Sequence, residues 1–135
     1  ACLGSGGKRT ILFTSDGSFH MNLNELATAV AQHLPLMVVV LNNSVLGMVR
    51  QWQTLFFEER YASTTLNRPT DFCLLAQAFG ARGLRLDALE KLDATLDRAF
   101  RLPGPVVLDV RIHRDEKVLP MIPPNGTYQD MILRG

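Results

Sequence analysis

Neither sign of charge is in excess in this chain of 135 residues: 14 Lys and Arg stand against 13 Asp and Glu, a formal net charge of +1. Without a basic excess or a clustered basic stripe there is no electrostatic footprint for nucleic acid, and that partner class is set aside. Long apolar runs are also lacking. The longest, Leu34 to Leu41, suits a buried strand and falls far short of a membrane span, and no signal-peptide pattern is read, so no membrane partner is expected. Only two cysteines occur, Cys2 near one end and Cys73 inside an apolar helical segment. Such sparse usage argues for reduced thiols in a cytoplasmic protein rather than a disulfide framework. No His or Cys stands beside them at metal-ligand spacing, so zinc is not expected.

What is present suits one globular domain. Hydrophobic residues make up 47% and charged residues 20%, and the length allows a real core with little room for a second. After the flexible Gly4–Gly7 stretch, Arg9 to Thr14 reads as a strand buried on both faces. From Ser18 the apolar spacing of Leu23, Leu26, Ala27, Val30 and Leu34 predicts one amphipathic helix that Pro35 ends, with Leu36 to Leu41 as the next buried strand. Ser44 to about Glu59 reads as a helix with Phe56 in the core, and Tyr61 to Pro69 as a loop. Asp71 caps a helix through Phe79 that Gly80 ends. Then come a strand over Ala81 to Leu86, a helix over Ala88 to Leu102 with Leu89, Leu92, Leu96 and Phe100 inward, and a strand over Pro105 to Ile112. Beyond His113 the segment VLPMIPPNGTYQDMIL, with three prolines, reads as an extended tail. The pattern is α/β: a three-layer α/β/α arrangement on a mainly parallel sheet.

The chemistry gathers between Ser15 and Val45. An Asp-Gly turn ends one apolar strand, an Asn-Asn pair ends the next, and a helix lies between them. If the strands are parallel neighbours, a right-handed crossover brings both turns to one edge of the sheet, where ligands of open α/β sheets bind. Asp16 offers a carboxylate oxygen, Asn43 an amide oxygen, and Val45 a backbone carbonyl, a set that fits magnesium completed by water and phosphate. Gly17 and Ser18 open the helix, where N–H groups and the dipole favour an anion. A diphosphate bridged to magnesium satisfies both halves. Taken singly, Asp16-Gly17 is an ordinary turn and Asn42-Asn43 a pair that tolerates left-handed geometry. His20 and His33 read as solvated or capping residues.

Twenty-four residues separate Gly17 from Asn42, a spacing that resembles the thiamine diphosphate signature. The words MNLNELATAV (Met21 to Val30), LGMVRQWQ (Leu46 to Gln53), FGARG (Phe79 to Gly83), GPVVLDVRI (Gly104 to Ile112) and VLPMIPPNG (Val118 to Gly126) look like the catalytic subunit of acetolactate synthase, in its last part only. The resemblance implies the thiamine diphosphate-binding fold, preceded by a strand and glycine-rich helix of the same domain. Residues 1–113 would be a partial diphosphate-binding domain of PP type, and residues 114–135 a tail on it or near the active-site opening. Ser15, Asp16, Gly17, Ser18, Asn43, Val45, Leu46, Gly47, Met48 and Val49 would hold the cofactor, with Asp16, Asn43 and Val45 on the metal. Met48, Val49 and Trp52 would face substrate, Trp52 lining the acceptor pocket. The family usually has Gly where this chain has Ser15, and the added Cβ is expected to weaken binding without abolishing it.

The activity so implied joins the acetyl portion of pyruvate to a second 2-oxo acid after decarboxylation, on the branched-chain amino acid route. The cofactor supplies the carbanion chemistry. FAD, found in many relatives, would lie in a middle domain elsewhere. No residue of this chain is assigned as the catalytic acid: Glu25, Glu58 and Glu59 read as surface groups, and the acid is expected from the pyrimidine-binding domain of a second subunit in a homo-oligomer. A small regulatory subunit is a further expected partner. Two other readings stand beside this one: a related carboligase or decarboxylase acting on another 2-oxo acid such as glyoxylate, and a non-catalytic α/β module for a magnesium-nucleotide.

Overall fold

The computed structural model describes residues 1–134. They form two compact units, each assembled from two stretches: Ala1–Asn43 with Asn67–Ile112, and Ser44–Leu66 with the residues from His113 onward.

The first unit is built on four parallel strands, β1 (Thr10–Ser15), β2 (Leu36–Asn42), β3 (Arg82–Leu86) and β4 (Val106–Arg111), in the order β1-β2-β4-β3. Side chains alternate across β2 and β4, and both faces are covered. On one face Val38, Val40 and Val107 pack against Phe19 of α1 (Asp16–Asn22), Leu26 of α2 (Glu25–Ala31), and Phe72 and Ala76 of α4 (Phe72–Ala78). On the other, Met37, Val39, Leu84, Leu86, Val106 and Leu108 pack against Ala99 of α5 (Leu92–Arg101). The expected three-layer α/β/α arrangement is therefore present.

Several local expectations are corrected. β1 is not buried on both faces: it stands at an edge of the described sheet, with Ile11, Leu12 and Phe13 exposed, Phe13 to 68%. The single helix after Ser18 is two. The break falls at Leu23–Asn24, where Leu26 and Ala27 donate to the carbonyls of Leu23 and Asn24 three residues back. Asparagine side chains compete for backbone partners and weaken a helix interior, and two flank this break. The turn changes which residues face inward, so Ala29 is buried and Ala27 exposed. Ahead of α5 a 3-10 turn over Leu89–Lys91 leaves Leu89 exposed, and Phe100 at the far end is exposed as well. Asp71 does cap α4, accepting from the Cys73 and Leu74 N–H groups, and Gly80 at φ +86° follows the helix.

The second unit carries α3 (Gly47–Phe56), shorter than expected because Glu58 and Glu59 take positive φ. Its buried residue is Gln51, whereas Phe56 is half-buried. Gln51 works as a clasp on the tail: the Val118 N–H donates to its Oε1 at 2.7 Å, and its Nε2 donates to the Val118 carbonyl at 3.0 Å. Arg50 adds an ion pair to Asp115 at 2.6 Å and lies 3.8 Å from the centroid of the Tyr61 ring. Antiparallel bridges join Val45 to Thr65 and Met121 to Ile132. Among the described residues no helix is long and apolar enough to cross a membrane.

Candidate functional site

β1 and β2 are parallel neighbours with Ser15 opposite Leu41. Asp16 therefore follows directly beyond one strand, and Asn42 and Asn43 close the adjoining one, at the same C-terminal edge of the sheet. Asp16 is buried, 4% exposed, and Asn43 half-buried. One carboxylate and one amide oxygen are a hard-donor set suited to magnesium, which usually keeps few protein ligands. Among the described residues no group of three or more His, Cys, Asp or Glu offers a rival metal centre.

Ser15 sits at φ −99° and ψ 164°, an extended backbone that any residue adopts, so no glycine is required there by conformation. Its Oγ accepts the Ser18 N–H at 3.1 Å and caps α1. That bond engages an N–H which the sequence reading assigned to an anion. Ser15→Ala should lower stability by about 1 kcal/mol through the lost cap, read as a fall in the urea midpoint.

The other residues read as cofactor and substrate contacts belong to the second unit. Val45 is buried and bridged to Thr65, and the Leu46 N–H donates to the Thr64 carbonyl at 2.8 Å. Beyond Gly47, the first residue of α3, Met48, Val49 and Trp52 are exposed and line an apolar depression of about 350 Å³ with Gln53 and Phe57. The Trp52 ring meets Phe56 edge-on, with centroids 5.5 Å apart.

Two arrangements behind the first unit's edge have no counterpart in the sequence reading. His20 is neither solvated nor a cap: its Nδ1 donates to the Asp16 carbonyl at 2.7 Å, and its Nε2 lies 2.8 Å from the Thr70 hydroxyl. Asp109, fully buried on β4, accepts from Asn42 Nδ2 at 2.8 Å, from Arg85 Nε at 3.2 Å and from Arg111 Nη2 at 3.2 Å. Arg85 continues to Asp71, its Nη2 donating at 2.8 Å.

A family model, thiamine pyrophosphate enzyme, C-terminal TPP binding domain, matches residues 1–110. This chain belongs to that family. The TPP-binding domain is 44% identical over 122 residues to the acetolactate synthase isozyme 2 large subunit of Escherichia coli (strain K12), covering 90% of this chain and 22% of that one. It is 46% identical over 117 residues to the mitochondrial acetolactate synthase catalytic subunit of Saccharomyces cerevisiae, covering 87% of this chain and 17% of that one. The domain thus spans about a fifth of the length of the curated relatives it matches. Its fold is shared with benzoylformate decarboxylase from Polynucleobacter necessarius, with a TM-score of 0.75 at 24% identity over 87% of this chain and 22% of that one.

In this TPP-binding domain the Arg85 guanidinium, donating to Asp71, holds that carboxyl below the usual carboxylate range, and the Leu74 amide adds to the effect. A depressed carboxylate pKa contributes stability that is full above the unfolded value and is lost as pH falls through the folded one. Asp71→Asn keeps a capping side chain but removes the ion pair. Its stability deficit, followed by urea denaturation from neutral pH into acid, should be largest at neutral pH and vanish on the acid side.

Proposed function

We propose that this domain is the diphosphate-binding part of a thiamine diphosphate- and magnesium-dependent acetolactate synthase, condensing pyruvate with a second 2-oxo acid after decarboxylation in branched-chain amino acid biosynthesis. The observation that carries the reading is the parallel pairing of β1 with β2, which sets the Asp16 turn and the Asn42-Asn43 turn at one sheet edge. The identities of 44% and 46% to acetolactate synthase subunits support the choice of reaction within the family.

Asp16 and Asn43 would hold the magnesium, which would supply the counter-charge for the diphosphate. The cofactor, when bound, supplies the carbanion chemistry. Leu46, Gly47, Met48 and Val49 would line the cofactor side and exclude water, while Trp52 would bound the acceptor pocket. The acid that serves the aminopyrimidine comes from another catalytic subunit of a homo-oligomer, because a general acid must stand within hydrogen-bond reach of its proton. Glu25, exposed and accepting from Asn24 Nδ2 at 3.1 Å, is a surface group of α2. A small regulatory subunit and a cytoplasmic location complete the proposal.

Calorimetry on the full-length protein tests it: thiamine diphosphate should bind only with magnesium present, and ATP with magnesium should not bind. The acceptor role of Trp52 is tested separately. One methylene in a pocket is worth about 1–3 kcal/mol, so Trp52→Leu should shift the preference between pyruvate and 2-oxobutyrate by roughly tenfold in competition assays.

A further inference from the structure

We propose that Thr70 and Asp71, the two residues ahead of α4, are positioning residues that hold the Asp16 turn and the Asn42-Asn43 turn in register with each other. The proposal rests on the cofactor reading above. The two turns leave different strands, and a shared metal and diphosphate demand that their donors be fixed to a fraction of an ångström by the groups behind them.

The first arm runs through His20. A carbonyl can only accept, so His20 Nδ1, 2.7 Å from the Asp16 oxygen, carries the ring proton in the neutral imidazole. Nε2 then has a lone pair, and the Thr70 hydroxyl donates to it at 2.8 Å. The Phe72 ring packs edge-on against the imidazole, centroids 5.1 Å apart, and restricts its rotation. The second arm runs through Asp71. Its Oδ1 caps α4, while its Oδ2 accepts from Arg85 Nη2 at 2.8 Å. Arg85 Nε donates to Asp109 Oδ2, and Asp109 Oδ1 accepts from Asn42 Nδ2. Val40, Asp109 and Arg85 are register partners across β2, β4 and β3, so the relay lies on the α4 face of the sheet. Adjacent residues on one backbone thereby reach both turns.

The test uses the full-length protein with thiamine diphosphate and saturating magnesium, read by calorimetry. Thr70→Val keeps the side-chain shape and removes the donor, and Thr70→Ser restores it. Loss of one hydrogen bond corresponds to about a two- to tenfold change, so Thr70→Val should weaken binding by that factor and also lower the urea midpoint, with Thr70→Ser restoring both to the parent values. Asp71→Asn should weaken binding similarly, and the double variant should lose less than the product of the two, as groups acting on one geometry do. Binding that survives both single variants overturns the bracket, as does a loss that Thr70→Ser fails to restore. A parent protein that binds no thiamine diphosphate removes the cofactor reading instead. The bracket is then decided by amide hydrogen exchange over Asp16–His20, which Thr70→Val should accelerate and which, unchanged, overturns it.

Discussion

Asp16→Ala in the full-length protein should abolish magnesium-dependent binding of thiamine diphosphate. Asp16 is the first residue past β1, buried, and beside the end of β2 by the register of the two strands. Magnesium accepts few protein oxygens, so losing the one carboxylate among the proposed ligands removes most of the protein's charge complement to the ion. Even outer partners of metal ligands are worth about 10- to 100-fold in affinity, so the loss here should exceed about a hundredfold, or roughly 2.7 kcal/mol. Calorimetry with and without magnesium gives the number, and circular dichroism shows whether the fold is retained. Affinity equal to the parent would return Asp16 to the role of a turn residue.

Gly83→Ala should be strongly destabilising in the first unit. Gly83 lies in β3 opposite Val107, on the face covered by α4. A Cβ there would sit 2.5 Å from the Cys73 oxygen, 2.6 Å from its Cα and 2.9 Å from its carbonyl carbon. All three are backbone atoms, so no rotamer change relieves the clash and α4 must back away from the sheet. Overpacking of this kind costs about 1–3 kcal/mol, and the rigid contact places Gly83→Ala at the upper end. Gly4→Ala is the control: its nearest neighbour is 3.8 Å away, and a surface change of this kind stays within about 0.5 kcal/mol. Urea midpoints of the two variants measure the difference. Because Thr70 and Asp71 precede α4, the same displacement would loosen both turns at the binding edge.

The parts of this molecule that were legible in the sequence are those where one local rule acts without competition. Leu36 to Leu41 is an uninterrupted β-rich run and forms β2; Asp71 and Gly80 bracket α4 because their side-chain chemistry and conformational freedom are local properties. Apolar periodicity was less informative where burial depends on what lies opposite. β1 has the composition of an interior strand yet stands at an edge, and Leu89 and Phe100 fit a helical stripe that the 3-10 turn and the short span of α5 leave uncovered. Strand order was not legible at all, since β4 enters the middle of the sheet after β3. The Asp109 relay was hidden for the same reason. A carboxylate in the apolar run PVVLDVRI was the one available signal; Arg111 shares its face two residues along β4, while Asn42 and Arg85 become its neighbours only through the register. For the candidate site, the spacing of the two turns was readable, while the groups holding them from behind were not.

The interleaving of the two units orders events during synthesis. β2 emerges from the ribosome well before β4, its interior neighbour, so Asn42 waits for Asp109 across 67 positions of chain. Helix α3 waits about as long, since Gln51 finds its side-chain partners at Val118, again 67 positions later, and at Met121. Neither unit can close co-translationally from its own first half, and such distant pairings make for slow folding. A nascent chain stopped at Ile112 would own every strand of the first unit but would leave Gln51 without its clasp. The helix that bears Met48, Val49 and Trp52 thus depends on residues made 67 positions after Gln51, although it lies in the first half of the sequence.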